Sequence, residues 1–388
     1  MTIHLKGLTW DHPRATSPLF AANRVLNEIQ PDVILSWEVQ PLSSFEDRPI
    51  SEAAGAYDLI IFDHPHVGEI AEGRLLRPVD LSFPDTSLLD ADFVGPSLKS
   101  YRYGGHVWGL PLDAACQVSC ARPDLIRALV DSSPTDWAMV LELGEQALRN
   151  NLRLAMAFAG VHSLMTLLTL CANQEAPLAM RSVIAFADRD AVRTSLLAMR
   201  GLLTFCAPES LNWNSIAVQE AMTTRDDLVF CPAVYGFSSY GHRNRKRRLD
   251  YGNLPGIRKG AAGSTLGGAG IGISAYSRHP EAAFAAARFL TSARIQEEVI
   301  ASNDGQPSRV NAWESLEVNR ISGQFYEQTR RTIEQAWIRP CFNGYLRFQR
   351  AGGRAVEAYL RAHTSIEATI NSLETLWSDA LRITRRHL

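Results

Sequence analysis

Polar and aromatic side chains gather where apolar runs end. Ile3 to Leu8 reads as a strand and runs into Thr9-Trp10-Asp11-His12. Tyr57 to Phe62 reads as another and ends in Asp63-His64-Pro65-His66. Asp113 follows the extended Gly109-Leu110-Pro111-Leu112. Open α/β sheets bind ligands at the carboxyl ends of their strands, so Trp10, Asp11, His12, Asp63, His64 and Asp113 are candidate ligand contacts. Farther along, Trp213 stands between Asn212 and Asn214, and Tyr235 and Ser238 follow the apolar run Leu228 to Val234. These three, with Gly268 in a glycine-rich strand entry, complete the candidate set. Each has a plainer alternative: Asp11 as a turn residue before Pro13, Trp213 as a core aromatic beside a helix cap, Trp108 and Trp137 as structural aromatics.

The inventory suits binding more than catalysis. Carboxylates accept hydroxyl hydrogen bonds, and aromatic faces pack on the apolar faces of sugars. The same Asp and Trp side chains would also hold a cation, by ion pairing and cation–π contact. His12 with Asp63, or His64 with Asp113, would serve an enzyme as an acid–base pair, but no nucleophile accompanies them. GxSxG, HExxH and P-loop motifs are absent from the sequence. Asp63, His64 and His66 are all metal-ligating types, yet three ligands so close on one turn seldom converge, and no metal or cofactor is assigned. Cys116, Cys120, Cys171, Cys206, Cys231 and Cys341 show neither CxxC nor zinc spacing. They are expected to be free thiols, with Cys116–Cys120 the one bridge entertained.

The elements that must position these groups need more than one core. At 388 residues and 46% hydrophobic content the chain suits two lobes. A net charge of -2 implies no nucleic-acid partner, and the basic run Arg243 to Arg248 reads as a solvated loop. The apolar stretches carry polar breaks, so no membrane span is read. MTIHLKGLTW lacks the basic and apolar regions of a signal peptide. The protein is therefore expected to be periplasmic if a leader precedes this sequence, and cytoplasmic otherwise. Helices are read over Pro18 to Ile29, His162 to Ala172, Asp188 to Leu203 and Ile216 to Met222, strands over Val33 to Val39 and Leu152 to Phe158, and a mostly helical tail from Val318. Thr135 and either Asn212 or Asn214 are expected to cap helices, and His162 to be a cap or a cleft residue.

One stretch organises the whole. Thr265 to Ser308 holds the glycine-rich entry Leu266-Gly267-Gly268-Ala269-Gly270 and the strand Ile271-Gly272-Ile273. Ser277-Arg278-His279-Pro280-Glu281 then starts a helix, with Ser277 read as cap and an alanine-rich face behind it. Gln296 and Gly305-Gln306-Pro307-Ser308-Arg309 follow. This order resembles family 1 solute-binding proteins of ABC importers. Ser100 to Asp113, with its Gly109-Leu110-Pro111, and Ser133 to Ala138 are similar to two further segments of that family.

The resemblance implies an α/β, two-lobe, periplasmic-binding-protein-like fold of type II, each lobe a mixed sheet flanked by helices, joined by a multi-strand hinge. It implies a first lobe of residues 1–112 with 267–309 and a second of 113–266 with 310–388. Crossings would fall near Leu112, Leu266 and Arg309. A monomer capturing a small polar solute between its lobes, with an ABC permease as partner if exported, is the function implied. A cytoplasmic enzyme or ligand sensor on the same fold is the alternative.

Overall fold

The computed structural model describes residues 2–41, 49–83, 88–178, 186–258 and 260–385. Strand β1 (Ile3–Trp10) pairs in parallel with β2 (Val33–Gln40) along its whole length, and on its other side with β3 (Leu59–Phe62). All four residues of β3 are buried, as expected of an apolar β-branched run covered on both faces. Strands β4 (Leu110–Ala121), β5 (Leu228–Tyr235), β6 (Asp250–Gly252) and β7 (Leu266–Ile273) complete the ladder. The order is β2-β1-β3-β7-β4-β5, with Arg153–Leu154 beyond β5 and with β6 also against β4.

Strand β4 changes partner midway. Leu110 to Cys116 pairs antiparallel with β7, while Gln117 to Ala121 pairs with β5 and, from Ser119 on, with β6. Register shifts fall at Ala269/Gly270 and at Val118/Cys120, on either side of the change. Such irregularities bend and twist a strand. The residues Leu112 and Leu266, read as crossings, both lie in this part of the ladder.

Most helices lie where their apolar spacing puts them, and the differences are at their ends. Helix α1 (Pro13–Ile29) begins before Pro18, because His12 Nδ1 accepts from Arg14 N at 3.0 Å and Pro13 fills the first helical position. In Trp137–Arg149 the cap is Asp136, which accepts from Met139 N at 3.0 Å, and not Thr135. Ser277 does not cap Pro280–Leu290. Its hydroxyl donates to Asp58 at 2.6 Å and accepts from His279 N at 3.2 Å, tying the helix entry to the start of β3. The strand read over Leu152 to Phe158 makes a ladder only at Arg153–Leu154. Beyond it Met156 N donates to the Ser210 hydroxyl at 3.1 Å. The tail is helical at Phe325–Glu334, Tyr345–Leu360 and Ile366–Arg385, and its last two helices pack through Phe348 and Trp377, ring centroids 5.2 Å apart. All six cysteines are free. No described helix is long and apolar enough to cross a membrane.

Two glycines of β7 are required by contact. A Cβ on Gly267 would lie 2.7 Å from the Tyr235 ring. Gly268 has φ +102°, and a Cβ there would lie 2.3 Å from the Asp113 carbonyl oxygen. The left-handed conformation alone costs a non-glycine residue roughly 1–2 kcal/mol. Gly268→Ala is therefore expected to lower stability by at least that much in chemical denaturation. Gly55→Ala, where φ is −76° and nothing lies within 4 Å, should change it by less than about 0.5 kcal/mol.

Candidate functional site

Beside the point where β4 changes partner, a cavity of about 130 Å³ opens. Trp10 reaches it from the end of β1, Asp63 from the end of β3, Tyr235 from the end of β5, Asp113 and Ala115 from β4, and Gly267 to Ala269 from β7. The opposite wall brings His162 and Met165 from helix Val161–Asn173, and Asn214 to Ile216 from the start of helix Ser215–Thr224. The ends of β1 and β3 come together here because neighbouring parallel strands finish at one edge of the sheet.

The charges in the cavity come in pairs. Arg339, only 4% exposed, donates from Nη2 to both carboxylate oxygens of Asp63 at 2.8 and 2.7 Å. It donates from Nη1 to Gln349 at 3.0 Å and from Nε to the Leu266 carbonyl at 3.1 Å. Burial alone would raise the Asp63 pKa, but Arg339 and a contact to His64 hold it well below the usual carboxylate range. Arg14 makes the second pair. Its Nε donates to Asp113 Oδ2 at 2.7 Å, its Nη2 to Oδ1 of the same carboxylate, and its Nη1 to the Gly236 carbonyl at 3.3 Å. Its guanidinium sits 4.5 Å from the Phe237 ring centre. Arg14 makes a fork of two nitrogens on two oxygens, whereas Arg339 spans both Asp63 oxygens from one nitrogen.

Aromatic side chains build one wall. Trp10 stacks on His12 with centroids 5.5 Å apart, and Phe237 meets both rings edge-on. Tyr235 donates from its hydroxyl to Thr265 at 3.3 Å, within a buried set in which Thr169 bonds Thr265 and Gln117. His12 has a pKa of about 4, lowered by burial and by Arg14; His162 is lowered to about 4 by burial. His64 also falls to about 4, through burial and Arg339. All three imidazoles are neutral near pH 7.

Of the residues singled out in the sequence, Trp10, Asp63, Asp113, Tyr235 and Gly268 meet at this cavity. His12 backs Trp10 and caps α1. His64 is fully buried behind Asp63. The other calls lie elsewhere. Asp11 is exposed, its N–H bonded to the Gln40 carbonyl at 2.8 Å. Trp213 is not among the cavity's lining residues; it lies under the Arg225 guanidinium at 5.6 Å, while Asn214 caps the following helix. Ser238 is buried and accepts from the Tyr326 hydroxyl at 3.1 Å. Sequence reading did not select Arg14, His66, Arg339 or Gln349, and left His162 between cap and cleft. The cap is Gly160, and His162 faces the cavity with Nδ1 3.3 Å from the Ser215 hydroxyl. Arg14 stood in the N-terminal cluster as a visible cue, whereas nothing local marks Arg339. Among the described residues no group of three or more His, Cys, Asp or Glu could hold a metal ion.

No protein-family model and no curated protein sequence matches the chain. Solved structures do. An ABC transporter solute-binding protein from Thermotoga lettingae, bound with alpha-D-tagatose, matches with a TM-score of 0.84 at 14% identity, covering 98% of this chain and 100% of that one. The chain has the two-lobe fold of ABC-transporter solute-binding proteins. Maltose-bound MalE3 of T. maritima aligns with a TM-score of 0.82 at 17% identity, over 97% of this chain and 99% of that one. A solute-binding protein from Agrobacterium radiobacter in complex with ribitol gives 0.79 at 17% identity, over 97% and 98%. At these identities it is the fold that is shared.

Two outcomes follow from the electrostatics. Asp63→Asn leaves the buried Arg339 uncompensated and is expected to cost about 3–5 kcal/mol of folding stability. The double variant Asp63→Leu/Arg339→Met should recover much of that loss in the same denaturant titration. The neutral histidines set an acid limb. Because His12, His64 and His162 titrate near 4 in the fold and near 6.5 when unfolded, the unfolded chain takes up protons first. Their contribution is intact above pH 6.5 and declines as pH falls toward 4. The lowered pKa of Asp63 adds a further loss below about 3.8. Melting temperature should fall across that window, and His162→Asn should flatten its upper part.

Proposed function

We propose that this chain is a solute-binding protein. It closes its two lobes on a small polar, sugar-like ligand and presents that ligand to an ABC-type importer. The observation that carries this reading is the pairing of charge in the cavity. Both carboxylates are already held by guanidinium groups, so a free cation would find neither available. What remains is aromatic surface from Trp10, Tyr235 and Phe237, with hydrogen-bonding edges from His162 and Asn214. That combination suits an uncharged polyhydroxylated molecule. The fold, whose solved examples carry tagatose, maltose and ribitol, supports the same assignment.

Capture is favoured over catalysis because the candidate acid–base groups are occupied. His12 Nδ1 caps a helix, His64 is enclosed, and Asp63 and Asp113 are ion-paired. In this reading residues 1–112 with 267–309 form one lobe and 113–266 with 310–388 the other. The protein acts as a monomer, periplasmic if a leader precedes this sequence, with an ABC permease as its membrane partner if exported. Ligand-driven closure selects the compact state.

Titration calorimetry against maltose, tagatose, ribitol, mannitol, putrescine and citrate tests the reading. A neutral sugar or polyol should bind, and Trp10→Ala should weaken it by roughly 1.5–3 kcal/mol. Small-angle scattering should show a smaller radius of gyration at saturation. Binding of putrescine or citrate in preference to the neutral solutes would overturn the assignment.

A further inference from the structure

Cys120 and Cys231 stand opposite one another where the last part of β4 pairs antiparallel with β5. Val118 against Val234 and Ala121 against Phe230 flank them in the ladder. We infer that these two cysteines are a cross-strand disulfide pair. The chain joins them when it matures in an oxidising compartment and keeps them as a shielded dithiol elsewhere.

Ladder geometry is the reason. Directly opposed residues of an antiparallel pair send their side chains to one face, with Cα atoms about 4.5–5.5 Å apart. A disulfide spans Cα separations of about 4.4–6.8 Å. The two thiols are hydrogen-bond neighbours in the structure. Cys116 and Cys120, by contrast, lie on the same strand. A rise of about 3.3 Å per residue sets their Cα atoms about 13 Å apart, too far for a bridge. Cys206 is near enough to Cys231 to interact with it electrostatically, but it belongs to neither strand and makes only an isolated bridge with Leu154. Backbone pairing therefore selects Cys120 as the partner of Cys231.

Burial decides when the bond forms. Cys120 is 1% exposed and Cys231 fully buried, and Cys120 Sγ packs 3.7 Å from Met222 Sδ. Burial also pushes the Cys120 thiol up, so the folded protein holds little of the attacking thiolate. Exchange therefore proceeds during folding, or through local opening of the seam between β4 and β5. One cysteine thiolate attacks a small disulfide such as oxidised glutathione and releases one glutathione thiolate. The other cysteine thiolate then attacks the protein sulfur of that mixed disulfide and releases the second. Each cysteine gives up one proton, and two electrons pass to glutathione. The bond fastens β4 beyond its change of partner. Neither cysteine lines the cavity, so the bond leaves the cavity walls untouched.

Peptide mapping by mass spectrometry tests the pair. The folded protein is incubated in a glutathione buffer rich in the oxidised form, with and without sub-denaturing urea. It is then alkylated and digested without reduction. A bridge between the Cys120 and Cys231 peptides should accumulate, faster with urea, leaving the remaining cysteines unbridged. The bridged protein should melt about 5 °C or more above the reduced one, and dithiothreitol should reverse the shift. Cys120→Ala, which adds no polar group to the core, should abolish the bridge without linking Cys206 to Cys231. Cys120 and Cys231 left unbridged even with urea, or joined to glutathione alone, would overturn the inference. So would a bridge made mainly between Cys206 and Cys231, or a bridged protein that melts below the reduced one.

Discussion

The strand Leu110–Ala121 has to serve two sets of neighbours, and the cleft exists because it does. Backbone groups of a buried strand need ladder partners along their whole length. The first part finds them on Leu266–Ile273, the last part on Leu228–Tyr235 and Asp250–Gly252. At the exchange the sheet is bent by irregular register, and the ends of the surrounding strands face a common space. Gly267 and Gly268 lie at that bend, where backbone and the Tyr235 ring come too close for a Cβ. The glycine-rich sequence thus admits the protein's own groups; its contribution to the cavity is the shape it permits.

A cavity of this kind brings charge out of water, and the electrostatics follow from that. An ionised carboxylate in such a place is costly unless an opposite charge and hydrogen bonds compensate. Asp63 with Arg339, and Asp113 with Arg14, meet that requirement with both carboxylate oxygens engaged. Arg339 comes from the C-terminal part of the chain and Asp63 from the N-terminal sheet, so this pair also ties sequence-distant segments together. The histidines respond to the same low-polarity surroundings by staying neutral. The rest of the cavity lining includes aromatic and hydrogen-bonding side chains.

Local pattern made much of the scaffold legible. Alternating and continuous apolar runs located β1, β2, β3 and β5 to within a few residues, and apolar spacing located the long helices; β7 begins at Leu266, in the glycine-rich entry read as preceding the strand Ile271–Ile273. The glycine-rich strand, the Pro280 helix and the Gly305–Arg309 segment, taken in order, pointed to the two-lobe fold that the solved structures share. Helix ends were less legible, because several side chains compete for each cap. Ser277 was available to the helix at Pro280, yet Asp58, brought close by β3, took its hydroxyl.

What the sequence by itself determined is the set of strands and helices and the polar residues at their ends, since those follow from the periodicity of burial along a short segment. Trp10, Asp63, Asp113 and Tyr235 were accessible to that reasoning. Tertiary structure decided which of the candidates share one space. Trp213 reads in sequence as a binding aromatic, but it packs under Arg225 and does not line the cavity. Arg339 carries no local mark of function, and its role arises only where it meets Asp63 across 276 residues of chain. Pairing of buried charges is a property of contacts between distant segments, and one-dimensional spacing does not encode those contacts.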